Sequence, residues 1–432
     1  MRPFNCILIL LFHIQSAAAQ VSIHSLQALF DYAEKNSPVA LQANLIPSVS
    51  KQDVRIQSSS LYPKVNAYAT EDYYPILATQ LIPAEIVGGQ KGTYYKAQFG
   101  LPYAFATGVE IAMPVINFEK WTQLNKAKEQ QQLSEWSSKL AIENLHLQLI
   151  QAYYQYLVTN EVEQLNDENA KTSKELVSIM KQRSQEGVVN PSDYNRARML
   201  DMDVQTSSAN YDKALVQSLH QLKAILNIPQ EKELLIEDSL SFSEVAFNNN
   251  GTGENRAAWQ EAWLKEKVAM LNWQETKNAA LPKLNFTTRY AYNMQTKWNG
   301  SGQKSEFDYC NVNLRLDFPL YQGSYYKAYR QKAKLNLDIA SIEKEKIANQ
   351  ISQQQSDWQT QYQTAVGKQS ILKDKIAAAA DNLRIARLSI KEGVMEFDDF
   401  NNIFMDYNRA RMEQIQNTAD CVLYYLLTTQ KF

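Results

Sequence analysis

Cys310-Asn311-Val312-Asn313-Leu314-Arg315-Leu316-Asp317-Phe318-Pro319-Leu320 carries a nonpolar side chain at every second position as far as Phe318. That alternation sorts one face of a β-strand from the other. Beyond Leu320 the period changes to that of a helix, and the rest of the chain has no proline and only Gly323, Gly367 and Gly393 as glycines. The same order occurs earlier: a strand ending Met113-Pro114-Val115, then a run without glycine or proline to Glu186-Gly187-Val188. The strand starts also correspond, Leu61-Tyr62-Pro63-Lys64-Val65 with Ala280-Leu281-Pro282-Lys283-Leu284. Matching landmarks lie roughly 205 to 220 residues apart, which marks a duplicated domain rather than a short solenoid repeat.

Two further segments alternate clearly. Leu284, Phe286, Thr288, Tyr290 and Tyr292 oppose Asn285, Thr287, Arg289, Ala291 and Asn293. Tyr103, Phe105, Thr107, Val109, Ile111 and Met113 oppose Ala104, Ala106, Gly108, Glu110 and Ala112. A weaker strand runs from Val65 to Tyr73. Strands are thus expected at residues 63–75, 101–114, 283–295 and 308–319. Strands of about ten residues with one apolar and one polar face match those of outer-membrane barrels. A half-buried sheet in a soluble domain would need helices over its apolar face. Here the neighbouring helices carry seams of their own, which favours the membrane. Arg315, Arg289, Asn313, Asn311 and Glu110 are then expected on the lumen side. Four strands cannot close a lipid-spanning barrel, since open edges are not tolerated in hydrocarbon. Two copies would supply eight strands and three twelve, and a barrel of about eight has an interior filled by side chains.

The run before Glu186 could reach ~100 Å as a single helix. Leu133, Trp136, Leu140, Leu147, Ile150, Tyr154 and Leu157 form one stripe along it, with Glu143 filling one position, and Ile142, Leu145, Leu149, Tyr153 and Tyr156 form a second. Two seams require neighbours on both sides, as in a wall of helices, whereas a two-stranded coil has one. Shorter helices expected at residues 37–60 and 192–228 would together match the long one, and residues 254–280 and 396–429 repeat the arrangement. The expected organisation is a first repeat over residues 20–228 with a helical hairpin at 116–228, a linker at 229–257, and a second repeat over 258–432 with a hairpin at 321–429. Phe247-Asn248-Asn249-Asn250-Gly251-Thr252-Gly253 reads as a polar linker. The fold class is mainly α with a membrane β-barrel portion.

The chain has 432 residues and a net charge of −2, which gives no long-range attraction to nucleic acid. Mean hydropathy is −0.43. Beyond the N-terminus no stretch approaches the ~18 apolar residues of a membrane helix. Arg2, the apolar run Cys6–Phe12 and Ala17-Ala18-Ala19 describe a signal peptide over residues 1–19, with cleavage expected before Gln20. Cys310 and Cys421 remain, in a strand and in the last helix, and are expected to be unpaired.

With these residues in view, the chain resembles a TolC-type outer-membrane efflux protein over essentially its whole length after residue 19. The signal peptide, the duplicated strand starts, the strand ends at Met113-Pro114-Val115 and Phe318-Pro319-Leu320-Tyr321, and the paired helical tips carry the likeness as an ordered set. Ile82-Pro83-Ala84-Glu85-Ile86-Val87-Gly88-Gly89, leading to Phe99-Gly100-Leu101-Pro102-Tyr103, looks like the long external loop of Bacteroidetes-type members. The resemblance implies a homotrimer with a twelve-stranded barrel in outer-membrane lipid and a twelve-helix periplasmic tunnel continuous with it. It implies partners at the far end of the tunnel, a periplasmic adaptor (membrane fusion protein) and an inner-membrane pump of RND or ABC type, and a role as the passive exit duct of a tripartite efflux or type I secretion system. It also implies that the tips around Glu186, Gly187, Val188, Glu392, Gly393 and Val394 dock the adaptor. An acidic ring at the tunnel entrance would map onto Asp399, with Asp398 adjacent and Asp193 as the first-copy equivalent. A further acidic position of the family falls on Asn402, which would weaken the ring. Apart from the family, Gly187 and Gly393 suit helix ends, and Ser192 or Asp193 would cap the following helix with Pro191 in its first turn.

No cofactor is expected, and no metal site, because the four histidines are scattered and no Cys/His cluster has ligand spacing. There is no phosphate-binding glycine loop and no nucleophile elbow, so no catalytic residue is named. The alternatives are a periplasmic coiled-coil adaptor without a barrel, disfavoured by the duplication and the alternating strands, and an enzyme on a helical scaffold.

Overall fold

The computed structural model describes residues 21–242, 256–297 and 304–429. The signal peptide and the linker Phe247–Gly253 lie outside the described residues. In chain order the elements are β1 (Val21–Ile23), α1 (Leu26–Asn36), α2 (Pro38–Ser59), β2 (Lys64–Tyr73), β3 (Thr79–Pro83), a 3-10 turn (Ala84–Val87), β4 (Tyr94–Gln98) and β5 (Tyr103–Ile116). There follow α3 (Phe118–Gln185), α4 (Pro191–Leu226), β6 (Leu234–Ile236), α5 (Ala257–Asn278), β7 (Lys283–Thr296), β8 (Lys304–Asp317), α6 (Tyr325–Glu392) and α7 (Phe397–Thr429). Both α3 and α6 have 68 residues, consistent with the absence of proline in either. The described chain divides into two compact units, one of residues up to Ile46 with 135–261 and 345 onward, the other of 47–134 with 262–344. Helices α3 and α6 contribute to both.

The second unit holds an antiparallel sheet of order β2-β5-β7-β8. Its register aligns Asn66, Glu110, Arg289 and Asn311 in one row and Tyr68, Gly108, Ala291 and Tyr309 in the next. The polar residues foreseen as lumen-facing therefore do share a face. Val109, Ile111, Phe286, Tyr290, Cys310 and Val312 share the other. Gly108 is obligatory: a Cβ there would run into the Tyr290 carbonyl oxygen. Among the described residues no strand pairs with the outer edge of β2 or of β8. The apolar face is bare, with Val312, Leu314 and Leu316 on β8 68%, 65% and 67% exposed.

At one end every strand meets a helix. Side-chain bonds set the helix order within this unit as α2, α3, α5, α6. Gln57 bonds Gln123 at 3.0 Å, Lys126 pairs with Glu275, Lys267 with Glu129 at 2.9 Å, and Lys344 with Glu266 at 2.5 Å. The outermost helices both expose aliphatic residues at helical spacing, Val49 and Ile56 on α2 and Leu335, Ile339 and Ile342 on α6. Tyr62, Phe318, Leu320, Tyr321 and Tyr325 are exposed where strand gives way to helix.

In the first unit, β1 and β6 pair in parallel beside a core of Leu29, Phe30, Leu145, Leu149, Ile150, Tyr153, Leu157 and Leu222. The second of the two α3 stripes is thus the more deeply buried. Tyr153 donates to Asp238 at 2.7 Å, and both burial and that bond hold its phenol protonated. A second cluster joins Leu176 and Met180 to Leu383, Ile390, Phe397, Phe400 and Phe404. Cys310 is exposed and Cys421 buried, both unpaired.

Differences from expectation are local. β8 begins at Lys304 rather than at 308, because Lys304-Ser305-Glu306 is polar on both faces and offers no apolar alternation. It ends at Asp317 rather than 319. β5 continues to Ile116 through a bulge at Pro114. The β3–β4 hairpin was not foreseen as strands. α5 is first described at residue 256–257, so a start at Glu254 lies outside the described residues.

His146, read in the sequence as isolated, is buried and stacks on Phe30 at 4.3 Å, with Glu34 3.1 Å from its Nε2. Burial pushes its pKa down, against the pull of Glu34 and Glu143. The folded chain therefore favours neutral imidazole. This contribution is complete above the ordinary histidine pKa of about 6.5 and is lost as pH falls below it, because the unfolded chain takes up the proton first. The thermal midpoint is expected to drop between about pH 7 and pH 5 and to do so less steeply in His146→Phe, which calorimetry checks.

Candidate functional site: the helical tips and the polar face of the sheet

The α3–α4 and α6–α7 turns come together in the first unit. Helix α3 ends at Gln185, and Gly187 takes φ +72° so that the Val188 amide can donate to the Arg183 carbonyl at 2.9 Å. Helix α4 is capped by Asn190, whose side chain accepts from the Ser192 amide at 2.9 Å, with Pro191 as first residue. The cap is thus Asn190, not Ser192 or Asp193: proline restricts the residue before it to extended backbone, which is the cap conformation. Helix α6 ends at Glu392, Gly393 takes φ +81°, and the Val394 amide donates to the Ser389 carbonyl at 3.0 Å.

Two arginines tie the turns together. Arg183 donates from Nη1 to the Ile390 carbonyl at 3.0 Å and lies against Gly393, where any Cβ would meet its guanidinium. Arg196 donates to both oxygens of Asp398, at 2.8 and 2.7 Å, and lies 3.9 Å from Asp193. Between the turns is a groove of ≈ 490 Å³ lined by residues including Val188, Val189, Asp193, Gly393, Val394 and Asp398. Phe397, Phe400 and Phe404 pack beneath it. Val188 and Val394 project into solvent, Val394 80% exposed, and Glu186 accepts from Gln182 at 2.9 Å. Glu392 is exposed.

Of the three acidic residues singled out, two share Arg196. Only Asp399 is exposed with no ion-pair partner among the described residues. Arg183 and Arg196 were missed in the sequence because their partners lie about 200 residues away, a separation on which helical spacing is silent.

On the sheet, Arg289 chelates Glu110 through Nε at 3.0 Å and through Nη2, and stands 5.5 Å from the Tyr68 ring. Arg315 pairs with Asp317 at 2.7 Å. Among the described residues no His, Cys, Asp or Glu group could hold a metal ion, and no helix is long and apolar enough to cross a membrane.

Residues 29–227 match the family model described as outer membrane efflux protein. The match covers a little under half of the chain, and that segment is similar to the family. The fold of the chain is shared with solved outer-membrane channels. CusC, studied for the conformational changes that accompany folding and transmembrane channel formation, is 14% identical with a TM-score of 0.78, over 94% of this chain and 91% of its own. The open-state MtrE outer membrane channel of Neisseria gonorrhoeae is 16% identical with a TM-score of 0.76, over 93% and 87%. VceC, an outer membrane protein of Vibrio cholerae, is 12% identical with a TM-score of 0.75, over 93% and 95%. At these identities the likeness is one of fold. No curated protein sequence matches the chain. The matched segment ends at the close of α4.

Gly187 and Gly393 separate backbone strain from contact. Alanine at either must hold a left-handed φ, at about 1–2 kcal/mol, but a Cβ at Gly187 meets nothing within 4 Å. Gly393→Ala is expected to lower the thermal midpoint more than Gly187→Ala, and Arg183→Ala to abolish the difference. Parallel melts of the single and combined variants check it.

Proposed function

We propose that three copies of this chain close a twelve-stranded barrel in the outer membrane and form the passive exit duct of a tripartite efflux or type I secretion system. The observation that carries the reading is the four-stranded sheet with one bare apolar face and two unpaired edges. A lipid-facing sheet cannot end in open edges, so β2 of one copy must meet β8 of the next. The outermost helices α2 and α6 stand at the same ends of the order and carry matching aliphatic stripes, which supports the same head-to-tail contact. Exposed aromatics between strands and helices fit the belt at a membrane–water boundary. Three copies suit a conducting barrel, since an interior of about eight strands is filled by side chains.

In this reading the helical tips lie at the periplasmic end, and a periplasmic adaptor docks on the groove around Glu186, Gly187, Val188, Glu392, Gly393 and Val394. An inner-membrane pump of RND or ABC type delivers the cargo. Asp399 supplies the acidic ring at the entrance, while Asp398 and Asp193 are largely neutralised by Arg196.

Cys310 tests the barrel directly. In proteoliposomes it should react with a lipophilic maleimide and resist a charged one, while the oligomer runs as a heat-resistant trimer in detergent gels. Equal labelling by both reagents together with a monomeric mass would overturn the reading. For the entrance, planar-bilayer recordings should give cation-selective steps whose reversal potential shifts toward zero in Asp399→Asn. Unchanged selectivity would remove Asp399 from the ring and leave the duct standing.

A further inference from the structure

At the helix-bearing end of the sheet the charges of the polar face are almost balanced, and what imbalance remains there lies in one place. Glu110 is held by Arg289, Asp317 by Arg315 at 2.7 Å, and Glu119 by Lys283 at 2.5 Å. Each carboxylate near the helix-bearing end of the sheet thus already has a cation. Two lysines are left over. Lys64, first residue of β2, is exposed and makes no ion pair among the described residues. Lys120, on the first turn of α3, donates to the backbone carbonyl of Ser60 at 3.0 Å.

Both line a cleft of ≈ 250 Å³ whose other polar walls are Ser60, Tyr62, Asn285 and Thr287. Lys64, Ala112 and Thr287 form one row of the sheet. The small side chain of Ala112 leaves the floor open between the ammonium and the hydroxyl. Partial burial lowers the pKa of Lys120, and the repulsion of Lys64 and Lys283 adds to this, against the pull of Glu119. An anion entering the cleft relieves that repulsion.

We propose that this cleft is a binding site for an anionic oxo group, phosphate or carboxylate, with Lys64 and Lys120 as its cations and Thr287 and Tyr62 as hydroxyl donors. Lys64 is the mobile arm, having no ion-pair partner among the described residues. Lys120 is the fixed one, held by Ser60. The site lies within one chain. It rests on the duct reading only for the origin of its ligand, either a solute travelling along the polar face or a phospholipid headgroup at the membrane boundary.

The test uses the purified full-length protein in detergent and does not require conduction, so its failure is separable from failure of the duct. Inorganic pyrophosphate is titrated by calorimetry into wild type, Lys64→Gln and Lys64→Gln/Lys120→Gln, with Lys332→Gln as a control on exposed charge. Lys64→Gln removes an unpartnered exposed side chain and leaves every described bond intact, so it stands even where the double variant does not fold. Saturable binding, weakened at least tenfold by Lys64→Gln and unaffected by Lys332→Gln, is expected for a solute site. In a second arm, native mass spectrometry compares retention of phosphatidylglycerol and phosphatidylcholine. Lysine-dependent retention of phosphatidylglycerol, not displaced by pyrophosphate, assigns the same site to a headgroup. Absence of both kinds of binding, or binding that Lys64→Gln leaves unchanged, overturns the proposal.

Discussion

The outer edges of β2 and β8 each present a row of backbone donors and acceptors with no partner strand among the described residues. In water such a row is tolerable. In hydrocarbon each unsatisfied group costs several kcal/mol, which no side-chain packing on so small a sheet offsets. The bare aliphatic face points to hydrocarbon, and the edges exclude a single copy from it. The proposed oligomer satisfies both by bringing β2 of one copy against β8 of the next. Such a heterologous contact makes a ring when the rotation closes and a filament when it does not. The strand order β2-β5-β7-β8 and the helix order α2, α3, α5, α6 within the same unit begin and end on neighbouring segments of chain. One rotation therefore serves both layers, and the aliphatic residues left bare on α2 and α6 fall where that contact would bury them.

Duplication makes this economical. Each repeat supplies a strand pair and a hairpin of one long helix with a shorter partner. The seam between repeats, β5 with β7, repeats inside the chain the kind of antiparallel pairing that the open edges need between chains. The obligatory Gly108 sits on this internal seam, where the strands approach too closely for a Cβ.

Elements governed by a local period were legible in the sequence. The four long strands, their two faces and the two 68-residue helices follow from periods of 2 and 3.6, and their ends from proline and glycine. Interactions between distant segments were not legible. Asn190 replaced Ser192 as the cap because proline sets the backbone before it, a local rule that was applied two residues too late. The contacts of Arg183 with Ile390 and of Arg196 with Asp398 could not be found by any spacing, since they cross to the opposite repeat. The same applies to the acidic residues: the resemblance singled out three, and of these geometry leaves Asp399 alone without an ion-pair partner among the described residues. The start of β8 escaped notice because its charged residues obey strand geometry without a hydrophobic face to report it.

The ion pairs on the sheet and at the tips are mostly exposed, and such pairs contribute only about 0–1 kcal/mol each. Stability does not account for their number. Their larger effect is electrostatic cancellation: a paired charge exerts little field beyond its partner, so the surface a solute meets is set by the few groups left over. Among the described residues these include Asp399 at the tips and Lys64 with Lys120 at the base of the sheet. At physiological ionic strength a charge is screened beyond about 8 Å, so neither group acts on a distant solute. Each acts on what touches it. With a formal net charge of only −2, the chain as a whole offers little long-range steering. A solute that touches either surface would meet its unpaired charge there, and a change at that charge should alter what binds without altering the fold that carries it.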